Sequence, residues 1–142
     1  MSESAPPVRV CLLVDGLTVR EWQHRALQRM VAETAAEITV VVSNQRVEER
    51  SMVDTLKRAI ELREWTVVWL LRSLVAQPVP LSDPVDVDEQ AYCADAAWID
   101  CEPERVDGWK NRIPAETAAR IVDRADVAVR FGFGFLVGPL LT

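Results

Sequence analysis

Two short runs rich in β-branched residues, Val8-Arg9-Val10-Cys11-Leu12-Leu13-Val14 and Ile38-Thr39-Val40-Val41-Val42, stand on either side of one helical repeat and limit the fold more than any other feature. Their apolar positions follow one another instead of alternating, which is the pattern of a strand covered on both faces. The first run stops at the turn pair Asp15-Gly16 and the second at Ser43-Asn44. Between them, Thr18-Val19-Arg20-Glu21 has the capping-box pattern, in which the Thr hydroxyl and the Glu carboxylate satisfy amides at a helix start. Val19, Trp22, Ala26, Leu27, Met30 and Val31 then recur at helical spacing, leaving Arg20, Gln28 and Glu33 outward and His24 on the polar side. Strand, helix, strand is a βαβ unit.

The rest of the chain continues the alternation. From about Ser51, the apolar positions Met52, Val53, Leu56, Ala59 and Ile60 predict a helix that runs on through Trp65, Trp69 and Leu70. Gln77 to Asp88 carries Pro78, Pro80 and Pro84 and is expected to be an exposed connection. Ala96 to Cys101 is a third strand candidate. Ile113-Pro114-Ala115-Glu116 marks a helix start with Pro at the first helical position, and Ala118, Ile121, Val122 and Ala125 supply its inner face. Val127 to Phe131 is a fourth strand, followed by Gly132-Phe133-Gly134-Phe135-Leu136-Val137-Gly138-Pro139.

Strands and helices alternating without a hairpin signal imply a doubly wound α/β fold: a mainly parallel, Rossmann-like sheet of about four strands with flanking helices. Residues 1–7 are expected to be a flexible tail and residues 8–142 one domain, long enough to bury a proper core. Ligands in such sheets bind at the carboxyl ends of strands, where strand order reverses. That singles out Asp15, Gly16, Ser43, Asn44, Asp100, Cys101 and the loop from Phe131 to Gly138.

Charge removes several functions. The formal charge is -6, and of 16 cations only Lys57 and Lys110 are lysines, so no broad basic face for nucleic acid is expected. The three cysteines, Cys11, Cys93 and Cys101, include no C-x-x-C pair, which disfavours a disulfide framework and a zinc ribbon and suits a reducing cytoplasm. Met1 to Pro7 lacks the features of a signal peptide, and the longest apolar run, Thr66 to Ala76, is interrupted by Arg72 and Ser73. No membrane segment is expected.

Among candidate chemistries, the glycine-rich loop is the sharpest. Gly132-x-Gly134-x-x-x-Gly138 is spaced one residue longer than the dinucleotide fingerprint, and it follows the fourth strand instead of the first. A turn that packs Phe133 and Phe135 into the core competes with a pocket-lining role, because glycine suits both. Cys101 sits at a strand end, but the only histidine, His24, lies elsewhere, and a small buried hydrophobe is the better reading. Asp83, Asp86, Asp88 and Glu89 lack the glycine and terminal Glu of a calcium loop and read as a solvated connection; no metal ligands are assigned.

Two stretches resemble the formyltransferase family, which includes methionyl-tRNA formyltransferase. The first is Val8 to Asn44, with its strand, Asp15-Gly16, helix and Val-rich strand in the family's order. The second runs from Ala125-Asp126 through Val127-Ala128-Val129-Arg130-Phe131-Gly132-Phe133-Gly134-Phe135-Leu136 to Leu140-Leu141, similar to the family's Ala-Asp, apolar strand, aromatic-Gly pair and hydrophobic loop. The resemblance implies a folate pocket at Phe131, Gly132, Phe133, Gly134, Phe135 and Leu136, with 10-formyltetrahydrofolate as donor and an unspecified amine as acceptor. It also implies that the catalytic block, Asn-x-His-x-Ser-x-Leu-Pro-x-x-Arg-Gly, would follow; no residue up to Thr142 corresponds to it. The domain is therefore expected to be C-terminally incomplete, inactive alone, and open at a sheet edge through which it could oligomerise. Arg130 departs from the family by placing a charge late in an apolar strand, and the stretch from Trp65 to Asp95 is longer than well-known members require. A noncatalytic Rossmann-like binding module and a nucleotide-binding oxidoreductase domain are the alternatives.

Overall fold

The computed structural model describes residues 6–46 and 81–141, together with Lys57, Ile60, Val67, Val68, Leu71, Arg72, Leu74 and Val75. Two compact units divide the chain: residues 1–47 with 83–142, and residues 48–82. In the second unit Lys57, Ile60, Val67, Val68, Leu71, Arg72, Leu74 and Val75 are helical, and all of these but the two cations are exposed large hydrophobics. The start of the expected tail, the helix start near Ser51, and Trp65, Trp69, Leu70 and residues 77–80 lie outside the described residues.

The first unit is built on a parallel sheet. Its strands are β1 (Val8–Asp15), β3 (Ala36–Asn44), β5 (Ala97–Cys101) and β8 (Val127–Arg130), in the order β5-β3-β1-β8. Successive residues of a strand face opposite sides, and β1 has apolar residues on both. Val10, Leu12 and Val14 join Ile38 and Val41 on one face, under Leu27 of helix α1 (Glu21–Glu33). Cys11 and Leu13 join Val40, Val42 and Ile99 on the other, under Ala118 and Ile121 of helix α2 (Ala115–Arg124). The chain grows from β1 through β3 to β5, then returns past β1 to place β8. With right-handed crossovers, that reversal puts α1 and α2 on opposite faces. The expected doubly wound α/β sheet of four strands is the architecture found.

Local boundaries differ from the sequence reading for identifiable reasons. Thr18–Arg20 is a short strand, β2, paired antiparallel with β4 (Pro84–Asp86), so α1 starts at Glu21 and Thr18 is not its cap. The Arg20 amide donates instead to Gln23 Oε1 at 2.8 Å, and the Glu21 amide to the Asp83 carbonyl at 2.9 Å. Starting the helix later turns its inner face to Leu27, Met30 and Val31, leaving Trp22 and Ala26 exposed. Half-buried His24, expected on the polar side, meets Tyr92, its Nδ1 hydrogen-bonded to the phenol oxygen at 2.9 Å. Pro114 precedes α2 as its cap residue, and Val122 is exposed.

A second, smaller sheet was not anticipated. Strands β6 (Glu104–Val106) and β7 (Lys110–Arg112) form a hairpin, and β9 (Phe135–Val137) adds in parallel to β7. The hairpin turns through Asp107 and Gly108 at φ 53° and 76°, the doubly left-handed conformation that favours Asp-Gly. At the opposite rim of the main sheet, Arg9 Nη2 donates to Asp126 Oδ1 at 2.7 Å and the Asp126 amide to the Arg9 carbonyl at 2.8 Å, joining the starts of β1 and β8. The Arg9 guanidinium holds the Asp126 carboxyl below its usual range.

All three cysteines are free and buried. Burial pushes the Cys11 and Cys93 thiols up to about 12 from an ordinary 9.0. In the native protein they should resist Ellman's reagent and become reactive only on unfolding. Below the unfolded thiol value both states keep the proton; above it only the unfolded chain ionises, so stability should fall as pH rises from about 9 toward 12. Urea midpoints that stay level across that window would contradict the assignment.

Candidate functional site

The reversal of strand order between β1 and β8 opens a crevice at the carboxyl rim of the sheet, the position at which such folds take ligands. It has a volume of about 410 Å³ and is lined by Asp15, Arg130, Phe131, Gly132, Gly134 and Phe135. Asp15 ends β1, Arg130 ends β8, Phe131, Gly132 and Gly134 lie in the turn that leaves it, and Phe135 opens β9.

The turn is fixed from three sides. The Leu13 carbonyl accepts the amides of Phe131 at 2.8 Å and Gly132 at 3.1 Å, which ends the ladder with β1. Gly132 then passes so close to Asp15 that a Cβ there would lie 2.5 Å from the Asp15 amide nitrogen and 2.7 Å from its carboxylate. Only glycine fits. Phe133 follows at φ 69°, unusual for a residue with a side chain, and its ring is completely buried in the core under α2. Its amide donates to Asp15 Oδ1 at 2.8 Å, and its carbonyl accepts Asn111 Nδ2 at 2.8 Å. Burial of the ring and these two bonds offset the cost of the left-handed backbone.

Asp15 also joins the ends of the strands. Its Oδ1 accepts Asn44 Nδ2 at 2.8 Å, while Asn44 Oδ1 accepts the Arg46 amide at 3.0 Å. Ser43 Oγ donates to the Gly16 carbonyl at 2.6 Å, and Gln45 Nε2 donates to Asp100 Oδ1 at 2.9 Å. The rim residues Asp15, Gly16, Ser43, Asn44 and Asp100 are thus gathered into one polar network that ties β1, β3 and β5 together.

Of the six residues assigned to the ligand from sequence, Phe131, Gly132, Gly134 and Phe135 line the crevice. The Phe133 side chain points into the core, and Leu136, in β9, packs against the same core. Two exposed tryptophans extend the walls: Trp22 meets Phe131 edge-on at 6.0 Å, and Trp109 meets Phe135 at 5.1 Å. Arg130 lines the crevice and its Nη1 donates to the Gly134 carbonyl. Asn111 and Trp109 escaped the sequence reading because the Asp107-Gly108 hairpin that carries them was not recognised.

The remaining candidates resolve into structure. Cys101 is buried under α2, where burial pushes its thiol up and a hydrogen bond with Thr117 opposes the rise. His24 is committed to Tyr92 under the opposite face. Among the described residues no group of His, Cys, Asp and Glu could hold a metal ion, and no helix is long and apolar enough to cross a membrane. The turn at residues 131–134 leads into strand β9, and the first turn leads into β2, so neither aims a helix N-terminus at a pyrophosphate. No family model, curated protein or solved structure matches the chain.

Gly132→Ala should lower the stability of the folded protein by roughly 3 kcal/mol or more, since the obstacle is backbone. Asp15→Ala should cost about 1–3 kcal/mol by leaving the Phe133 amide without its partner. Urea denaturation gives both values, and the Phe133 amide should lose most of its hydrogen-exchange protection in the second variant. Unchanged protection there would mean that the carboxylate does not hold the turn.

Proposed function

We propose that this chain is the donor-binding α/β part of a formyltransferase-like protein, with the crevice between β1 and β8 receiving 10-formyltetrahydrofolate. One observation carries the reading. The segment whose sequence resembles the family, Ala125 to Leu136, is the segment that supplies five of the six crevice residues. Gly132 and Gly134 keep the floor free of side chains, so a planar ring can approach the backbone, while Phe131 and Phe135 provide apolar walls. The formyl group would go to an amine acceptor. No residue of this chain is given a catalytic role, because the Asn-x-His block has no counterpart in its 142 residues.

Work in the cytoplasm suits three free, buried cysteines. Among the described residues β8 forms an edge of the main sheet, and its exposed Val127 and Ala128 leave room for a further strand or a second copy of the chain. A noncatalytic binding module is the second reading, favoured by the burial of Phe133, which makes the turn partly a core element. A dinucleotide-dependent oxidoreductase has less support, since the glycine turn opens into a strand.

Titration with 10-formyltetrahydrofolate, followed by the fluorescence of Trp22 and Trp109, should show saturable binding and no formyl transfer to amines. Binding should weaken about tenfold in Phe135→Ala, which removes one of the two apolar walls. Absence of binding at millimolar folate would sink the formyltransferase reading and leave the binding module.

A further inference from the structure

The crevice carries a cation that folding does not use up. Neither Arg130 nor Asp15 joins an ion pair among the described residues, although both line the same crevice. Elsewhere, Arg9, Arg25, Arg29, Arg46 and Lys110 are each matched to a carboxylate, while Arg20, Arg112, Arg120 and Arg124 join no ion pair among the described residues but do not line the crevice. Arg130 Nη1 donates to the Gly134 carbonyl, a partner that leaves the charge unneutralised. A guanidinium has five N–H donors, so others remain for a ligand. What distinguishes Arg130 is its place, an exposed cation beside two phenylalanines in the crevice.

Asp15 gives the crevice a direction. Its Oδ1 is filled by the Phe133 amide and Asn44 Nδ2, while among the described residues Oδ2 has no partner. An anion is therefore repelled at Asp15 and attracted at Arg130, whereas an amine or ring N–H is favoured at Asp15.

We infer that the crevice selects a planar ligand that carries a carboxylate, with the carboxylate on Arg130, the ring against Phe131 and Phe135, and a hydrogen-bond donor on Asp15 Oδ2. Arg130 is then a specificity-determining residue. The inference rests on the crevice of the proposed function being a ligand site, but not on that ligand being a folate.

A matched pair of small probes tests it: p-aminobenzoate and p-aminobenzamide have the same ring and amine and differ in charge. NMR titration of the full chain should show the carboxylate binding roughly tenfold tighter than the amide, with a preference that shrinks as salt is raised. Arg130→Gln should abolish the preference. Arg130→Lys, which keeps the charge, should retain part of it and serves as the control should the Gln variant fold poorly. Equal binding of the two probes to the wild-type chain, binding of neither, or a preference that survives Arg130→Gln would overturn the inference. Folate binding with no preference between the probes would remove this inference and leave the proposed function. A preference without folate binding would do the reverse.

Discussion

The carboxylate of Asp15 is where the chain's separate parts become one site. It ends the central strand, accepts the side-chain amide of Asn44 from the next strand, and accepts the backbone amide of Phe133 from a turn 118 residues later in sequence. An amide buried in a left-handed turn has no partner within its own segment, and leaving it unpaired costs about 1–3 kcal/mol. Asp15 supplies that partner at a distance that requires Gly132 to lie directly beneath it. The crevice is what remains beside this close approach, so its shape depends on contacts that are mainly structural.

How much of this could be read from the sequence depends on how local each determinant is. The central strands β1 and β3 follow from buried β-branched runs, which carry their signal within a few residues, and the alternation of strands with helices then gives the parallel arrangement and the place of the glycine turn at the carboxyl rim. The start of α1 was misread because Thr18-Val19-Arg20-Glu21 satisfies the capping-box pattern, while Pro84–Asp86, more than sixty residues away, draws Thr18–Arg20 into a strand ladder. A local preference lost to a distant partner. The Asp107-Gly108 pair is a different kind of miss: its hairpin signal is local and strong, and the residues around it are polar enough to pass for a loop.

The site shows the same division. That residues near Phe131 and Gly134 lie at a ligand-accepting rim was legible from strand and glycine patterning. That Phe133 packs into the core was one of two readings of this turn, and glycine patterning could not choose between them, because the direction of a side chain in a turn is set by φ, which is positive at Phe133. Asn111 could not be found from spacing either, since it reaches the turn through the pairing of β7 with β9 and a hydrogen bond to the Phe133 carbonyl, both set by segments far along the chain. The crevice combines an apolar floor with one cation and one acceptor, a pattern that orients a small ligand more than it strengthens binding.

The division of the first unit into residues 1–47 and 83–142 bears on how the protein is made. β1 leaves the ribosome before either of its neighbours in the sheet, and the second of them, β8, follows more than a hundred residues later. With translation at about 5–20 residues per second, one edge of that apolar strand waits for several seconds before it can pair. The nascent chain therefore passes through a stage with a hydrophobic strand open on one side, an edge at which incomplete chains can pair with one another.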